Sequence, residues 1–481
     1  MKFYVTTSIP YVNGEPHLGH AMEFVMADVL ARYARSKDKL TLFTTGTDEH
    51  GGKIAEKAKS QGIDTKQFTD KISQEFRDLA VLLNISNDRF IRTTDPDHEK
   101  RAQQIWLALG DDIYKSKYVG WYCTGDEAFF TEAVVKANNG VCPAHNRPYE
   151  KIEEENYFFR LSKYNQVILE AIESEKLRII PQTRRNEILQ VVKDGLEDIS
   201  ISRPKDKINW GIDVPNDDNQ IMYVWFEALL NYITVLGYPD GEDFKNFWPA
   251  NYQVIGKDIL RFHAAIWPGI LSSLKLSLPE NLYVHGFINV DNQKMSKSLN
   301  NFISPNAIVD KYGTDAFRYF FLRHIPSYGD GDFSWHKFHE SYQNELGNEL
   351  GNAVQRTLVM IQNYFDGELP ESTKDTEASE MIDKAIVDCK FDRALDEIWS
   401  KVKALNQFID DEKPWSLYKN GENDHLKAVL NNQVNQIRNI SSLLEVFLPD
   451  TSKKIDHIFS GNKLFVPEAT LFPRIDESSN T

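Results

Sequence analysis

Short apolar runs rich in β-branched and aromatic residues alternate with stretches of helical period through the first three hundred positions. KFYVTTSI (2–9) leads through a Pro/Gly turn into a helix over 17–35. KLTLFTT (39–45) follows, then the polar turn GTDEHG (46–51) and another helix. Much later YQVI (252–255) precedes GKD (256–258), and NLYVHGFI (281–288) precedes a loop beginning at Lys294. Strand, polar loop, helix is the signature of a parallel sheet with helical crossovers, so an α/β domain is predicted. Ligands of such open sheets bind beyond the carboxyl ends of the strands. Each unusual polar cluster here falls directly after an apolar run, which is the first functional signal.

Residues 113–200 change character, being rich in Tyr, Gly, Cys and charge, and read as an insertion into the sheet domain. From about residue 336 the pattern turns helical. Phe338, Tyr342, Leu346, Leu350, Val354 and Leu358 succeed one another at i+4, continued by Ile361 and Phe365. A second stripe runs from Leu426 through Val429, Leu430, Val434, Ile437, Ile440 and Leu444 to Phe447 and stops at Pro449, as expected of a helical bundle. The expected organisation is therefore 1–112 and 201–285 for the two halves of the sheet domain, 113–200 for the insertion, 286–335 for a loop and stem region, and 336–481 for the bundle.

Composition narrows the function classes. The 481 residues carry a formal net charge of −16, which opposes loose electrostatic adhesion to nucleic acid and leaves room only for local basic patches. Three cysteines imply no disulfide framework, and no apolar stretch is long enough to span a membrane. A cytoplasmic protein that does not act in a membrane is expected.

Two loops carry candidate chemistry. In PYVNGEPHLGH (10–20), His17 and His20 share one face at a helix N-terminus, where free backbone N–H groups and the helix dipole favour an anion. Gly19 between them lets a flat ring approach the backbone. Far downstream, KMSKS (294–298) sets two ammonium groups on a short loop of an acidic chain. HxGH early and KMSKS late, each following a strand, resemble the paired signatures of the class I aminoacyl-tRNA synthetases. The intervening segments are most similar to the methionyl branch of that family, in its short bacterial and organellar type, over essentially the whole chain.

The resemblance implies a Rossmann-like catalytic domain split by a connective insertion, followed by an α-helical anticodon-binding domain. It implies a methionine–tRNA ligase that forms methionyl-AMP from L-methionine and ATP and passes the methionyl group to tRNA(Met), with Mg2+ arriving on ATP. His17, His20, Lys294 and Lys297 are then the catalytic set, with Pro10, Gly19, Gly256, Asp258, Met295 and Ser296 around ATP. Gly286, with Asn300 and Asn301, would let the lysine loop move. The methionine pocket would comprise Ser8, Ile9, Tyr11, Asp48, Trp225, Ala228, Leu229, Tyr232, Ile259, Phe262 and His263, with Asp48 facing the α-ammonium group and Arg203 supporting it. Aromatic walls suit a flexible thioether. Asn348, Asn352 and Arg356, spaced i+4 on a face turned from the core, would read anticodon bases together with Pro414 and Trp415.

In the insertion, Cys123, Asp126, Cys142 and His145 have the spacing of a zinc knuckle, but Asp126 stands where the related form has a cysteine. Zn2+ and a metal-free hairpin both remain open. A monomer is expected. The alternative from another class is a non-catalytic, synthetase-like RNA-binding protein, for which two intact catalytic loops would have no use.

Overall fold

The structure, a computed structural model, describes residues 1–125, 128–130, 132–144, 146–295, 301–369 and 379–476. Its centre is a six-stranded sheet: β1 (Lys2–Thr7), β2 (Leu40–Thr47), β3 (Arg89–Arg92), β4 (Arg178–Ile180), β5 (Tyr252–Gly256) and β6 (Asn281–His285). The strands lie in the order β3-β2-β1-β5-β6-β4 and every pairing is parallel. Five of the six residues of β1 are buried, as befits a strand covered by helices on both faces. Strand order reverses between β1 and β5, and a crevice opens there at the carboxyl ends.

The stretch 113–200, expected as one insertion, divides. Ile113–Cys123 and Glu150–Phe159 form a long antiparallel ribbon, edged by Ala128–Phe130 and Ile199–Ser200. β4, however, returns from within this stretch to pair with β6 on the edge of the main sheet. Three residues between Leu177 and Pro181 are too short to show a strand period, so the return left no trace in the pattern.

Helix α1 (Leu18–Ser36) packs against β1, β2 and β5 and is buried on nearly all sides. A helix of that kind must neutralise any charge it carries. Asp28, wholly buried, is met by Arg32 at 2.6 Å and by Arg318 at 2.7 Å. Arg318 also donates to the Phe447 carbonyl at 2.7 Å, tying α1 to the segment just beyond bundle helix Asn423–Leu444. One apolar cluster continues from α1 into the bundle.

In the bundle the stripe from Phe338 to Leu358 is buried throughout. Its first helix is α-helical over Trp335–Ser341, π-helical over Tyr342–Gly351 and α-helical again over Asn352–Phe365. In a pure α-helix each i+4 step overshoots a full turn by about 40°, so five such steps would spiral off the core. The wider π turns undershoot and cancel the drift. The second stripe ends its helix at Leu444, and Pro449 opens a further helix, Pro449–Ile458. Among the described residues no helix is long and apolar enough to cross a membrane.

Candidate active site

A cavity of about 840 Å³ occupies the crevice between β1 and β5, and Pro10, His17, Gly19, His20, Gly256, Asp258, Lys294 and Met295 all face it. Two loops almost three hundred residues apart therefore meet on one space. His17 is the N-cap of α1: its Nδ1 accepts the Gly19 N–H at 3.1 Å, while its own N–H donates to His20 Nδ1 at 3.4 Å. With both Nδ1 atoms accepting, each ring carries its proton on Nε2. The rings stack with centroids 3.7 Å apart at 16°. Burial lowers His17 to about 4 and holds His20 well below the usual imidazole value, the latter helped by the neighbouring imidazoles. A pair held neutral in this way presents N–H donors rather than charge to the cavity. A Cβ on Gly19 would sit 3.0 Å from His17 Cε1, so the ring the glycine admits is that of His17 itself.

Glu23 and His285 also face the cavity and are additions to the residues expected of the site. Glu23 accepts from Ser8 Oγ at 2.6 Å and from His285 Nε2 at 2.8 Å. Burial alone would lower His285, but the hydrogen bond and charge of Glu23 raise it above the ordinary value. Asp258 is pushed up by its own burial, and its Oδ1 lies 2.7 Å from where a Gly256 Cβ would be. Gly286, expected to free the lysine loop, does something else. A Cβ there would lie 1.9 Å from the Gly329 carbonyl oxygen, so this glycine permits close backbone packing. The loop itself starts from the antiparallel pair Ile288–Val290 and Gln293–Lys294, whose turn is pinned by the Asn292 N–H to Asp332 Oδ1 at 2.6 Å. Ser296, Lys297, Ser298 and Asn300 lie outside the described residues. Asn301 is described and donates to the Lys294 carbonyl at 3.1 Å.

The other end of the cavity takes in Ser8, Ile9, Tyr11, Asp48, Trp225, Ala228, Leu229, Tyr232, Ile259, Phe262 and His263. Trp225 and Phe262 stack at 4.2 Å and 16° to make a flat aromatic wall. His263 Nδ1–H donates to the Ile259 carbonyl at 2.9 Å, leaving Nε2 to accept from Tyr232 O–H at 2.6 Å. Burial lowers His263 to about 4, consistent with a neutral acceptor. Asp48 is 3% exposed. Its backbone is locked to the first loop, N–H to the Pro10 carbonyl at 2.9 Å and C=O from the Val12 N–H at 3.0 Å. On its far side Glu49 is gripped by Arg92 through two bonds of 2.6 and 2.7 Å. An aspartate between two fixed neighbours is a preorganised site for a cation.

Arg203 is buried. It donates to Ser200 Oγ at 2.9 Å and the Ser202 carbonyl at 2.7 Å, lies over the Tyr223 ring, and borders a small hollow with Gly51 and Trp210. Cys123 and Cys142 are buried together in a minor cluster with Val135 and Tyr149, while Asp126 and His145 lie outside the described residues. Among the described residues no group of three His, Cys, Asp or Glu could hold a metal ion.

On the bundle, Asn348 and Asn352 are exposed and Arg356 half-buried. The Arg356 guanidinium lies 5.5 Å from the Trp415 ring centroid and bonds Asp410 at 2.8 Å. Pro414, at the first turn of helix Pro414–Asn420, is buried and leaves Trp415 43% exposed. Tyr364 and Tyr418 stack at 4.1 Å, Tyr418 being 48% exposed.

Comparison with known proteins gives this geometry a context. The family model described as tRNA synthetases class I (M) matches residues 3–151 and 139–358. The chain is 42% identical over 469 residues to the methionine–tRNA ligase of Caldanaerobacter subterraneus subsp. tengcongensis, spanning 94% of this chain and 73% of that one. To the methionine–tRNA ligase of Brucella suis biovar 1 it is 40% identical, spanning 94% of this chain and 91% of that one. The structure superposes on Mycobacterium tuberculosis methionyl-tRNA synthetase in complex with methionyl-adenylate with a TM-score of 0.93 at 35% identity, covering 98% of this chain and 100% of the other. The apo form of that enzyme gives a TM-score of 0.86. A match of this extent in sequence and fold shows that the chain belongs to the methionyl branch of the class I aminoacyl-tRNA synthetases.

Proposed function

We infer that the chain is a methionine–tRNA ligase, an ATP-dependent enzyme that makes methionyl-AMP and then methionyl-tRNA. One observation carries the reading. The paired imidazoles, the start of the lysine loop and the aromatic wall all face a single cavity. In the first step a methionine carboxylate oxygen attacks the α-phosphorus of ATP, and the α–β anhydride bond breaks to release pyrophosphate. The chain's work is positioning and electrostatics. Asp48 holds the α-ammonium group, and Trp225, Phe262 and Tyr232 surround the thioether. His17 and His20 donate Nε2–H bonds to phosphate oxygens. Lys294 and Lys297 neutralise charge on the departing pyrophosphate, and Asp258 accepts from a ribose hydroxyl. Mg2+ bound to the substrate ATP would share that neutralisation. In the second step a terminal ribose hydroxyl of tRNA attacks the methionyl carbonyl and AMP leaves.

The row Asn348, Asn352, Arg356 and Trp415 is the surface for the anticodon bases. Its planar amides and guanidinium match base edges, and the indole offers a stacking face. All these groups come from one chain, so a monomer suffices, acting in the cytoplasm. If zinc is bound, Cys123 and Cys142 would supply two thiols to a structural site that Asp126 and His145 would complete. Metal analysis decides between about one zinc per chain and a hairpin held by packing alone. The activity is tested by methionine-dependent ATP–pyrophosphate exchange. RNA binding with neither exchange nor charging would favour the binding protein.

A further inference from the structure

Behind the methionine end of the cavity lies a buried polar network that the chemistry above does not use. Glu227, fully buried on helix Val224–Leu229, accepts from His50 Nδ1 at 2.9 Å through Oε1 and from His98 Nε2 at 3.0 Å through Oε2. His98, on helix Pro96–Ala108, has its Nδ1 satisfied by Thr234 Oγ1 at 2.8 Å. Each end of this chain is attached to a different part of the pocket. His50 is two residues beyond Asp48 in the same loop, Glu227 sits among Trp225, Ala228 and Leu229, and Thr234 ends the short helix that carries Tyr232. Asp48, Trp225, Ala228, Leu229 and Tyr232 face the cavity, whereas Glu227, His50 and His98 stand one layer behind them.

We propose that Glu227 is a specificity-determining positioning residue: clamped between His50 and His98, it fixes the distance between the ammonium-binding wall at Asp48 and the thioether-binding wall at Trp225, Leu229 and Tyr232. The proposal rests on the assignment of Asp48 to the α-ammonium group. A carboxylate with both oxygens bound and no water to exchange with is a stiff link, and breaking one arm leaves a buried polar group that the surroundings must move to satisfy. A pocket whose two ends are held apart by such a link measures the substrate's length. It discriminates against an added methylene by the strain of accommodating it, a factor of roughly 10–200 in a rigid apolar pocket. The network touches no phosphate-binding group, so loosening it changes amino-acid selection ahead of ATP use.

The test is ATP–pyrophosphate exchange with methionine and with ethionine, which is longer by one methylene, on the intact chain. Glu227→Gln and His98→Ala are each expected to lower the ratio of kcat/KM for methionine over ethionine by about tenfold, with the KM for ATP changed less than about twofold. His98→Gln, whose amide can still donate to Glu227, is expected to recover most of that ratio. His98→Ala and His98→Gln leave the His50–Glu227 bond in place, so they serve if Glu227→Gln does not fold. An unchanged ratio, or equal loss for both amino acids with a lowered melting temperature, overturns the proposal by reducing the network to ordinary stability. Asp48→Asn run alongside separates the claims. An unchanged methionine KM there overturns the assignment and the clamp together, whereas the expected rise with no change of ratio in Glu227→Gln overturns the clamp alone.

Discussion

Replacing Asp48 by Asn removes one formal charge and almost nothing else. The side chains are the same size, and the backbone at this position is held by Pro10 on one side and Val12 on the other, so the loop has no reason to move. A carboxylate and an ammonium group about 4 Å apart attract by roughly 4 kcal/mol at an effective dielectric near 20, a fitting value for a group 3% exposed in a site open to solvent. The amide keeps a hydrogen bond worth about 1 kcal/mol. The net loss of about 3 kcal/mol corresponds to a rise in methionine KM of roughly a hundredfold. Steady-state exchange with methionine and ATP varied separately measures it, and the KM for ATP should stay within about twofold. Desamino-methionine, which lacks the ammonium group, should bind variant and parent alike. A methionine KM raised less than about threefold, or parallel weakening of the desamino compound, would show that Asp48 does not hold the ammonium group.

Other expectations follow from the same geometry. Lys297→Ala should cut the rate of exchange by at least about a hundredfold while methionine binding, followed by tryptophan fluorescence, stays near that of the parent. Trp415→Ala should lower kcat/KM for charging tRNA by roughly 5–150-fold, the worth of one stacked base, and spare exchange; equal loss of both would make the indole structural. Burial acts to lower His50, but the charge and hydrogen bond of Glu227 outweigh it and raise the group well above its ordinary value. The folded state thus holds a proton that the unfolded chain releases above about pH 6.5, and the stability this supplies is whole below that pH and is lost as pH rises through the folded value. The melting-temperature gap between parent and His50→Gln should therefore be widest near pH 6 and shrink toward pH 9. A constant gap would show that His50 is neutral.

How much of this was legible depends on what each feature does to its neighbours in the chain. The strands flanking the crevice are long enough to show their period, and the loops after them break it with His, Gly and Asp, so β1, β2, β5 and β6 and the groups beyond them could be read directly. β4 could not, because a strand of three residues has no period to display. Glu23 was missed for a different reason. On a helix with a polar face an acid is ordinary, and only the burial of α1 on nearly all sides makes it conspicuous. The run AMEFVMADVLA (21–31) did carry that signal, since a uniformly apolar helix with two acids in it must pair them. The Glu227 network joins residues from four separate segments, and nothing local announces it. The strict i+4 stripe announced a helix correctly but not its π-helical section, although five unbroken steps of four already departed from a 3.6-residue turn.

The most direct measurement of whether imidazoles, lysines and aromatic wall form one activating site is ATP–pyrophosphate exchange by the purified chain across the twenty amino acids. Exchange that depends on methionine, and that falls by orders of magnitude when His20 is replaced by Ala, is the expected result. Exchange driven equally by other amino acids, or none with methionine when ATP and Mg2+ are saturating, would contradict it.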